Sequence, residues 1–171
     1  MAAPTDNPSP PESLGRQISK THKVVHEHAD KVLAEHDASM VTWIVLNQAL
    51  IAQPPGFSQR ELADGLAIGS PALVRHIDRL EAEGLVARQP DPNDRRITRI
   101  TITPEGRRRH AELSVVVAEL DAELRGLLSP REITTLFNAL SRIEQHVMAK
   151  GIRGSPFLNQ PTAPVKNGVI P

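Results

Sequence analysis

A run of charged and turn-forming residues at positions 91–96, Asp-Pro-Asn-Asp-Arg-Arg, offers the most specific chemistry in this sequence. It lies between residues 85–88, which have the composition of a strand, and residues 97–102, where apolar and polar side chains alternate. Such alternation predicts a strand, and Pro, Asn and Asp favour tight turns. The pattern therefore predicts a two-stranded ribbon with arginines at its tip. Guanidinium groups bind phosphates and base edges, so this tip suits a groove of duplex DNA.

The two arginines of this tip need not act alike. Arg95 and Arg96 are adjacent, so their side chains point to opposite faces of a strand. One can meet DNA while the other pairs with an acid such as Asp91 or Asp94, and the sequence leaves open which does which. We predict DNA contacts from Asp94, Arg95 and Arg96, and from Arg88 on the preceding strand.

Two short helices are predicted directly before the ribbon. The first begins with a capping box, Ser58 to Glu61, and the second with Ser70 as cap and Pro71 at its first position. At helical spacing the second helix places its apolar residues on one face, and these are Leu73, Ile77 and Leu80. The opposite face carries Pro71, Arg75, Asp78 and Arg79.

A helix-turn-helix followed by a basic ribbon is typical of proteins that place the second helix in the major groove. Arg75 lies one turn into that helix, where it can contact guanine or a phosphate. The alternative is a solvated arginine, or one paired with Asp78. The predicted DNA contacts of this helix are Ser70, Pro71, Ala72, Arg75 and Arg79.

Helices on either side must position this unit. Residues 12–36 and 104–148 carry apolar stripes at helical spacing that exceed the needs of one small core, which favours a homodimer. We predict a mostly α fold with a small β-wing, in which a winged helix-turn-helix domain is joined to a helical dimerisation region. The domain covers residues 12–148, with a DNA-binding lobe at 40–103. Residues 1–11 and 149–171 are polar and rich in proline, which predicts a disordered N-terminal tail and a flexible C-terminal tail.

Charge is distributed unevenly although the chain has 20 Lys+Arg and 20 Asp+Glu. Residues 85–109 carry seven arginines against three acids, whereas residues 110–148 carry three arginines against six acids. One basic face on an otherwise neutral or acidic body is typical of a protein that contacts phosphates with a single surface. Because only 2% of the residues are aromatic, double-stranded DNA is favoured over single strands.

The sequence offers little for catalysis. It contains no cysteine and no tyrosine, and it has no nucleophile elbow, phosphate-binding loop or His-Glu-x-x-His motif. We expect no enzyme activity, no cofactor and no metal. Since the N-terminus lacks an apolar signal segment and no stretch approaches ~20 apolar residues, we expect a cytoplasmic protein with no membrane partner.

Histidines on the first predicted helix are a competing signal. His22 and His26 are four residues apart, a spacing that can hold zinc, and His28 and His36 lie nearby. A zinc-sensing regulator is therefore an alternative. Because no cysteine or Glu-x-x-His pattern supports it, we favour neutral histidines that are buried or lie at an interface.

Over roughly residues 12–148 the chain resembles the MarR family of bacterial winged-helix regulators. The resemblance is carried by residues 43–46 (Trp-Ile-Val-Leu), 60–63 (Arg-Glu-Leu-Ala), 80–88, 91–96 and 102–106. Residues 71–75, Pro-Ala-Leu-Val-Arg, are similar to the SlyA branch. That branch implies that Arg75 reads the major groove and that a wing arginine enters the minor groove.

The resemblance also implies an obligate dimer on a pseudo-palindromic operator, and a ligand-responsive repressor. In the family a cleft between the dimer helices and the DNA-binding lobe often takes small aromatic or lipophilic acids. We place this pocket at Trp43, His22 and His26, while a tryptophan that is simply part of the core is an equal alternative. A winged helix that serves only protein interactions, without DNA binding, is a further alternative.

Overall fold

The structure is a computed structural model that describes residues 13–52, 54–66 and 70–151, and only the backbone for residues 64–66, 70 and 71. Its helices are α1 (Leu14–Ala34), α2 (Met40–Ile51), α3 (Gln59–Leu66), α4 (Ser70–Ala82), α5 (Pro104–Gly126) and α6 (Pro130–Met148). Its strands are β1 (Phe57–Ser58), β2 (Val86–Pro90) and β3 (Thr98–Ile102). The predicted mostly helical fold with a small β-wing is confirmed. The predicted tails lie outside the described residues, apart from residues 149–151.

The sheet has three antiparallel strands in the order β1-β3-β2, where the sequence predicted two. Phe57 of β1 pairs with Ile100, and Val86 of β2 pairs with Ile102. A two-residue strand carries no alternation that a sequence pattern could detect. Gly56 allows this pairing because its φ is 101°, and because a side chain there would collide with the carbonyl oxygen of Ile100.

Side-chain caps fix where the helices begin. The predicted capping box of α3 is confirmed, since the backbone N–H of Ser58 donates to Oε2 of Glu61 at 2.6 Å and the N–H of Glu61 donates to Oγ of Ser58 at 3.2 Å. The same reciprocal bonds join Ser129 and Glu132 at α6, and Thr103 caps α5. Such caps contribute about 1 kcal/mol each and set the helix register that orients each exposed face.

Helix α2 is central to the core. Burial extends around the helix and includes Trp43, Val45, Leu46, Asn47, Gln48 and Ala49. The core then continues through the inward residues of the other elements, which include Leu33, Leu62, Leu73, Ile77, Ile100 and Leu113. A helix buried on all sides loses the one-sided pattern that periodicity detects. From this central position α2 packs against α1, α4, α5 and β3.

Helix α6 has no buried residue in the part of the chain that the structure describes. Its large apolar side chains are exposed, with Phe137 at 54% and Leu140 at 36%. Leu14 and Ile18 of α1 and Leu124 of α5 are also exposed. The outer ends of α1 and α5 and the length of α6 therefore present apolar surface that no other described residue covers.

Candidate nucleic-acid interface

Helix α4, the predicted recognition helix, has one buried face and one charged face. Leu73, Ile77 and Leu80 are buried in the core, whereas Arg75 and Arg79 are exposed on the far side. The apolar residues recur every three or four positions, so burying them turns the arginines outward. This is the division of faces that the sequence predicts.

The two exposed arginines differ in their surroundings. Nε of Arg79 donates to Oε1 of Glu83 at 2.7 Å, one turn along the helix. For Arg75, no ion pair or hydrogen bond of the guanidinium is found within residues 13–52, 54–66 and 70–151. Arg75 is therefore the more available of the two, because no carboxylate has to be displaced from it. Ala72 is half-buried next to them, and the side chains of Ser70 and Pro71 lie outside the described residues.

Arg88 connects the recognition helix to β2. Its Nη2 donates to Oδ1 of Asp78 at 2.6 Å, and its Nη1 donates to Oε2 of Glu81. Its backbone N–H also donates to Oε1 of Glu81 at 3.2 Å. Desolvation opposes the charge of Arg88, but the two carboxylates outweigh it and raise the pKa of the guanidinium. Arg88 thus neutralises two acids of the recognition helix, and its own contact with DNA stays a prediction.

Asp91 organises the tip of the wing; the wing is residues 86–102 and the wing tip is residues 91–97. The side chain of Asp91 is buried, and its Oδ1 accepts the backbone N–H groups of Asn93 at 2.7 Å and Asp94 at 3.0 Å. Its Oδ2 accepts Nε of Arg99 at 2.6 Å. The bond from Arg99 and the two backbone bonds lower the pKa of the Asp91 carboxyl. The turn is therefore built around an ionised carboxylate.

Arg99 extends this network to α3. Its Nη1 donates to Oε2 of Glu61 at 2.9 Å, the same oxygen that caps the start of α3. Burial works to raise the pKa of Glu61, but the hydrogen bonds from Ser58 and the charge of Arg99 lower it overall. The wing is thus linked to α3 through Arg99, and to the recognition helix through Arg88.

The pairing predicted at the wing tip is corrected by this network. We expected Asp91 or Asp94 to pair with one of the two tip arginines. Asp91 instead bonds Arg99, and Oδ1 of Asp94 accepts the backbone N–H of Arg96 at 3.0 Å. The reason is that the Asp91 carboxylate faces into the turn. Arg99, on the opposite strand, reaches it there better than Arg95 and Arg96 do. Arg95 and Arg96 are both exposed, and within the described residues no carboxylate engages either guanidinium.

Trp43 lies in the core, where it joins a buried polar network between α2 and α5. Its Nε1 donates to Oγ of Ser114 at 3.1 Å, and its ring stacks on His110 with centroids 6.1 Å apart. Nε2 of His110 lies 3.1 Å from Oδ1 of Asn47. Burial lowers the pKa of His110, so the imidazole is held neutral. A ligand that contacts Trp43 would have to displace this packing.

The other two predicted pocket residues lie on α1 in a different environment. The rings of His22 and His26 are 5.6 Å apart, and Nδ1 of His26 lies 3.1 Å from Oδ2 of Asp30. His22 is exposed and His26 is half-buried, so the expected burial of these histidines is not seen in one copy of the chain. His28 contacts Oε2 of Glu123 on α5 at 3.3 Å. No group of three metal-ligating side chains occurs among the described residues. Those residues therefore do not supply a ligand set for the alternative of a zinc-sensing regulator.

His110 and Arg99 are structural residues of this region that were not singled out from the sequence. His110 belongs to the stripe Gly106, His110, Leu113, which recurs every three or four residues and marks the buried face of α5. Arg99 stands opposite Gln89 in the ladder, two residues from Asp91. Helical spacing would have revealed His110, whereas the cross-strand partner of Arg99 is Gln89 and does not by itself indicate the bond to Asp91.

None of the helices within the described residues is long and apolar enough to cross a membrane.

Comparison with known proteins connects this surface to one family. Residues 49–98 match the model of the MarR family. The match runs from the end of α2 to the first residue of β3, so it contains α3, the recognition helix and the wing tip. Members of this family are transcription regulators and not enzymes.

Solved structures with this fold include three that bear on function. A mutant MarR from E. coli complexed with operator DNA is 28% identical, with a TM-score of 0.66, over 76% of this chain and 92% of that chain. CouR from Rhodococcus jostii bound to p-coumaroyl-CoA is 26% identical, with a TM-score of 0.65, over 77% and 92%. The transcriptional regulator BldR from Sulfolobus solfataricus is 26% identical, with a TM-score of 0.69, over 78% and 93%. The fold is the winged helix of these MarR-type regulators.

Proposed function

We propose that this chain is a DNA-binding transcription regulator of the MarR family that acts in the cytoplasm as a homodimer on a pseudo-palindromic operator. One observation carries the proposal. The segment that matches the family model is the segment in which Arg75, Arg95 and Arg96 are exposed without a carboxylate partner. Free guanidinium groups on a recognition helix and on a wing tip are what binding to two adjacent grooves requires.

The proposed contacts divide into two kinds. Arg75 on the recognition helix reads base edges in the major groove, with Ser70, Pro71, Ala72 and Arg79 beside it. Arg95 or Arg96 enters the adjacent minor groove, supported by Asp94. Base contacts set sequence preference, whereas phosphate and minor-groove contacts supply affinity to all sequences. The similarity of residues 71–75 to the SlyA branch is part of this proposal.

A second copy of the chain would cover the exposed apolar surface of α1, α5 and α6. Phe137 and Leu140 cost free energy in water, about 25 cal/mol for each Å² of apolar surface that remains uncovered. A dimer with two-fold symmetry also presents two recognition helices to successive major grooves about 34 Å apart, which suits a pseudo-palindrome.

We further propose that the protein is a repressor that responds to a ligand. A structural relative, CouR, is described as bound to p-coumaroyl-CoA. An effector would act by preferring a dimer whose recognition helices are wrongly spaced, because only a difference in affinity between two states shifts their equilibrium. The pocket at Trp43, His22 and His26 stays a prediction, and Trp43 would have to leave its bond to Ser114 to open it.

The test is in-vitro selection of duplex DNA by the full-length protein, followed by binding to the selected site at several salt concentrations. We expect a pseudo-palindrome, and an affinity that falls steeply with salt because bound counterions are released. A winged helix that serves only protein interactions would select no sequence and would show no such salt dependence. That outcome would reject the proposed function.

A further inference from the structure

A buried polar cluster joins α2 to α5, and none of the proposed DNA contacts uses it. We call it the α2–α5 cluster; its members are Trp43 and Asn47 of α2 and His110 and Ser114 of α5, all of them buried. Nε1 of Trp43 donates to Oγ of Ser114, and Nε2 of His110 lies 3.1 Å from Oδ1 of Asn47. Oγ of Ser114 also lies 3.3 Å from Nε2 of His110. The four side chains therefore form one hydrogen-bonded group across the contact between the two helices.

The cluster holds one titratable group and no counter-ion for it. The ring of His110 is bonded to an amide and a hydroxyl, and no carboxylate contacts it in the part of the chain that the structure describes. Because Oδ1 of Asn47 can only accept, the proton of the neutral ring is assigned to Nε2. A second proton, on Nδ1, would place a full charge in the core with no acid to balance it.

The elements around the cluster supply no such acid either. Helix α2 contains no titratable residue, and α1 and β3 are the other elements that pack against α5. The charged or titratable side chains of α1, β3 and α5 that are not fully exposed are, besides His110, His26, Asp30, Arg99 and Arg109. His26 lies 3.1 Å from Asp30, and the two arginines are each bonded to carboxylates. Burial alone lowers the pKa of His110, and no charged group opposes it.

The cluster lies between the two parts of the fold that the proposed function uses. Helix α5 carries Leu124, part of the exposed apolar surface proposed to dimerise. Helix α2 packs against α4 and β3, which belong to the proposed DNA-binding surface. A change in how α2 lies on α5 would therefore move the predicted recognition helix and the wing relative to the proposed dimer.

We propose that the α2–α5 cluster is an acid-sensitive contact, which opens when the imidazole of His110 takes up a proton from water. In the open form water solvates the imidazolium and reaches the ring of Trp43, while the helices stay folded. The open form binds the proton more tightly than the closed form, so acid shifts the equilibrium toward it. This shift begins as the pH falls below about 6.5, the ordinary pKa of histidine.

The effect of this opening on DNA rests on the proposed function. Opening displaces the predicted recognition helix from its position in the dimer, so the operator is bound less tightly. One titrating group can change an equilibrium by at most about tenfold for each pH unit. The expected response is therefore a graded loss of operator affinity in acid.

The test uses the fluorescence of Trp43, which reports on the cluster because the chain has one Trp and no Tyr. Emission of the full-length protein and its quenching by acrylamide are measured from about pH 8 to about pH 5.5, the range in which histidines titrate. We expect the emission to move to longer wavelength and the quenching to increase as the pH falls, because water reaches the ring. Far-UV circular dichroism should stay constant over the same range.

Three variants separate His110 from the rest of the chain. His110→Gln keeps a hydrogen-bond donor for Asn47 but takes up no proton, so its fluorescence should not change with pH. His36→Gln removes an exposed imidazole outside the cluster and should behave as wild type. Asn47→Asp places a carboxylate where the amide lies, 3.1 Å from Nε2 of His110. It supplies the missing counter-ion and should keep the cluster closed in acid. Thermal melting checks that each variant folds.

Operator affinity is measured over the same pH range for wild type, His110→Gln and His36→Gln. Relative to His110→Gln, the other two should lose up to about tenfold in affinity for each pH unit below about 6.5. The comparison between variants removes the contribution of the histidines that they share.

The proposal is overturned if Trp43 of wild type does not respond to acid, or if His110→Gln responds as wild type does. It is also overturned if Asn47→Asp opens as readily as wild type, or if Trp43 becomes accessible only together with a loss of circular dichroism. An operator affinity with the same pH course in His110→Gln and wild type would reject the effect on DNA alone. If no operator is selected, the proposed function fails, while the fluorescence still decides whether the cluster opens.

Discussion

At the scale of single residues, the two exposed arginines of the recognition helix differ in whether a carboxylate is bonded to them. Arg79 is engaged by Glu83, and Asp78 and Glu81 are engaged by Arg88. The carboxylates of Asp78, Glu81 and Glu83 are therefore already bonded to other arginines. Since Arg75 is exposed and has no such partner among the described residues, we expect the sequence preference of the proposed DNA binding to depend on it.

Replacing Arg75 by Ala should lower affinity for the selected operator by about 1–3 kcal/mol and relax base preference, if its contact with a base is bidentate. Lys31→Ala, which removes an exposed charge from α1 outside the DNA-binding lobe, is the control. Binding is measured by fluorescence anisotropy on the operator and on a scrambled duplex. An Arg75→Ala protein that binds both duplexes as wild type does would show that this helix is not the reader.

His110 should make stability depend on pH. Burial lowers its pKa in the folded protein from the ordinary value of 6.5. As pH falls below about 6.5, the unfolded chain takes up a proton that the folded chain does not, so stability is present above that pH and is lost below it. One such group changes the unfolding free energy by at most about 1.4 kcal/mol per pH unit.

Urea unfolding of wild type and His110→Gln at a series of pH values measures this loss. The variant should lack the part of the decline that begins near neutral pH, whatever its absolute stability. It should keep the loss at lower pH that Asp91 and Glu61 contribute, since their lowered pKa values make stability fall when those carboxylates are protonated. Parallel curves for the two proteins above pH 5 would contradict the assignment to His110.

At the scale of elements, the wing depends on an acid within a basic segment. If charge alone mattered, removing Asp91 would strengthen DNA binding, because the wing would become more positive. The hydrogen bonds of Asp91 to the turn and to Arg99 give the opposite expectation. Asp91→Ala should therefore weaken binding to all duplexes by releasing the wing tip.

The comparison for this prediction is Arg95→Ala. Loss of a phosphate contact should reduce the slope of log affinity against log salt by about one, whereas loss of a turn-forming acid should leave that slope nearly unchanged. Both variants are titrated at several salt concentrations. Tighter binding by Asp91→Ala would show that the carboxylate acts only through its charge.

The helices and the strands differ in how far they could be predicted from the sequence. Capping residues and apolar spacing predicted α3 and α4 and the helical character of residues 12–36 and 104–148, because those signals are local. The two-residue strand β1 was not predicted, because its partner residues lie 41 and 43 positions further along the chain, in β3. The exposed face of α4 was predictable because it follows from local spacing. The bonds of Arg99 to Asp91 and Glu61 were not predictable, because they depend on where three elements meet in space.

At the scale of the whole molecule, the exposed apolar face of α6 is the feature that favours a dimer over a single chain. Replacing Leu140 by Asp should split the proposed dimer, since an unpaired charge in an apolar interface costs several kcal/mol. Asn138→Asp adds the same charge on the opposite side of α6 and is the control. Sedimentation equilibrium measures the dissociation constant of both. A stable monomer in the wild-type protein at micromolar concentration would refute the dimer.

The links made by Arg88 and Arg99 have a consequence for the operator. They join the recognition helix, α3 and the wing into one body, so in the proposed complex the step from major-groove contact to minor-groove contact would be fixed within each half-site. The distance between half-sites would be set elsewhere, by the proposed pairing of the outer helices. Inserting one base pair within a half-site should therefore abolish recognition. Variation in the central spacer should be tolerated as far as the two bodies can pivot about their common axis.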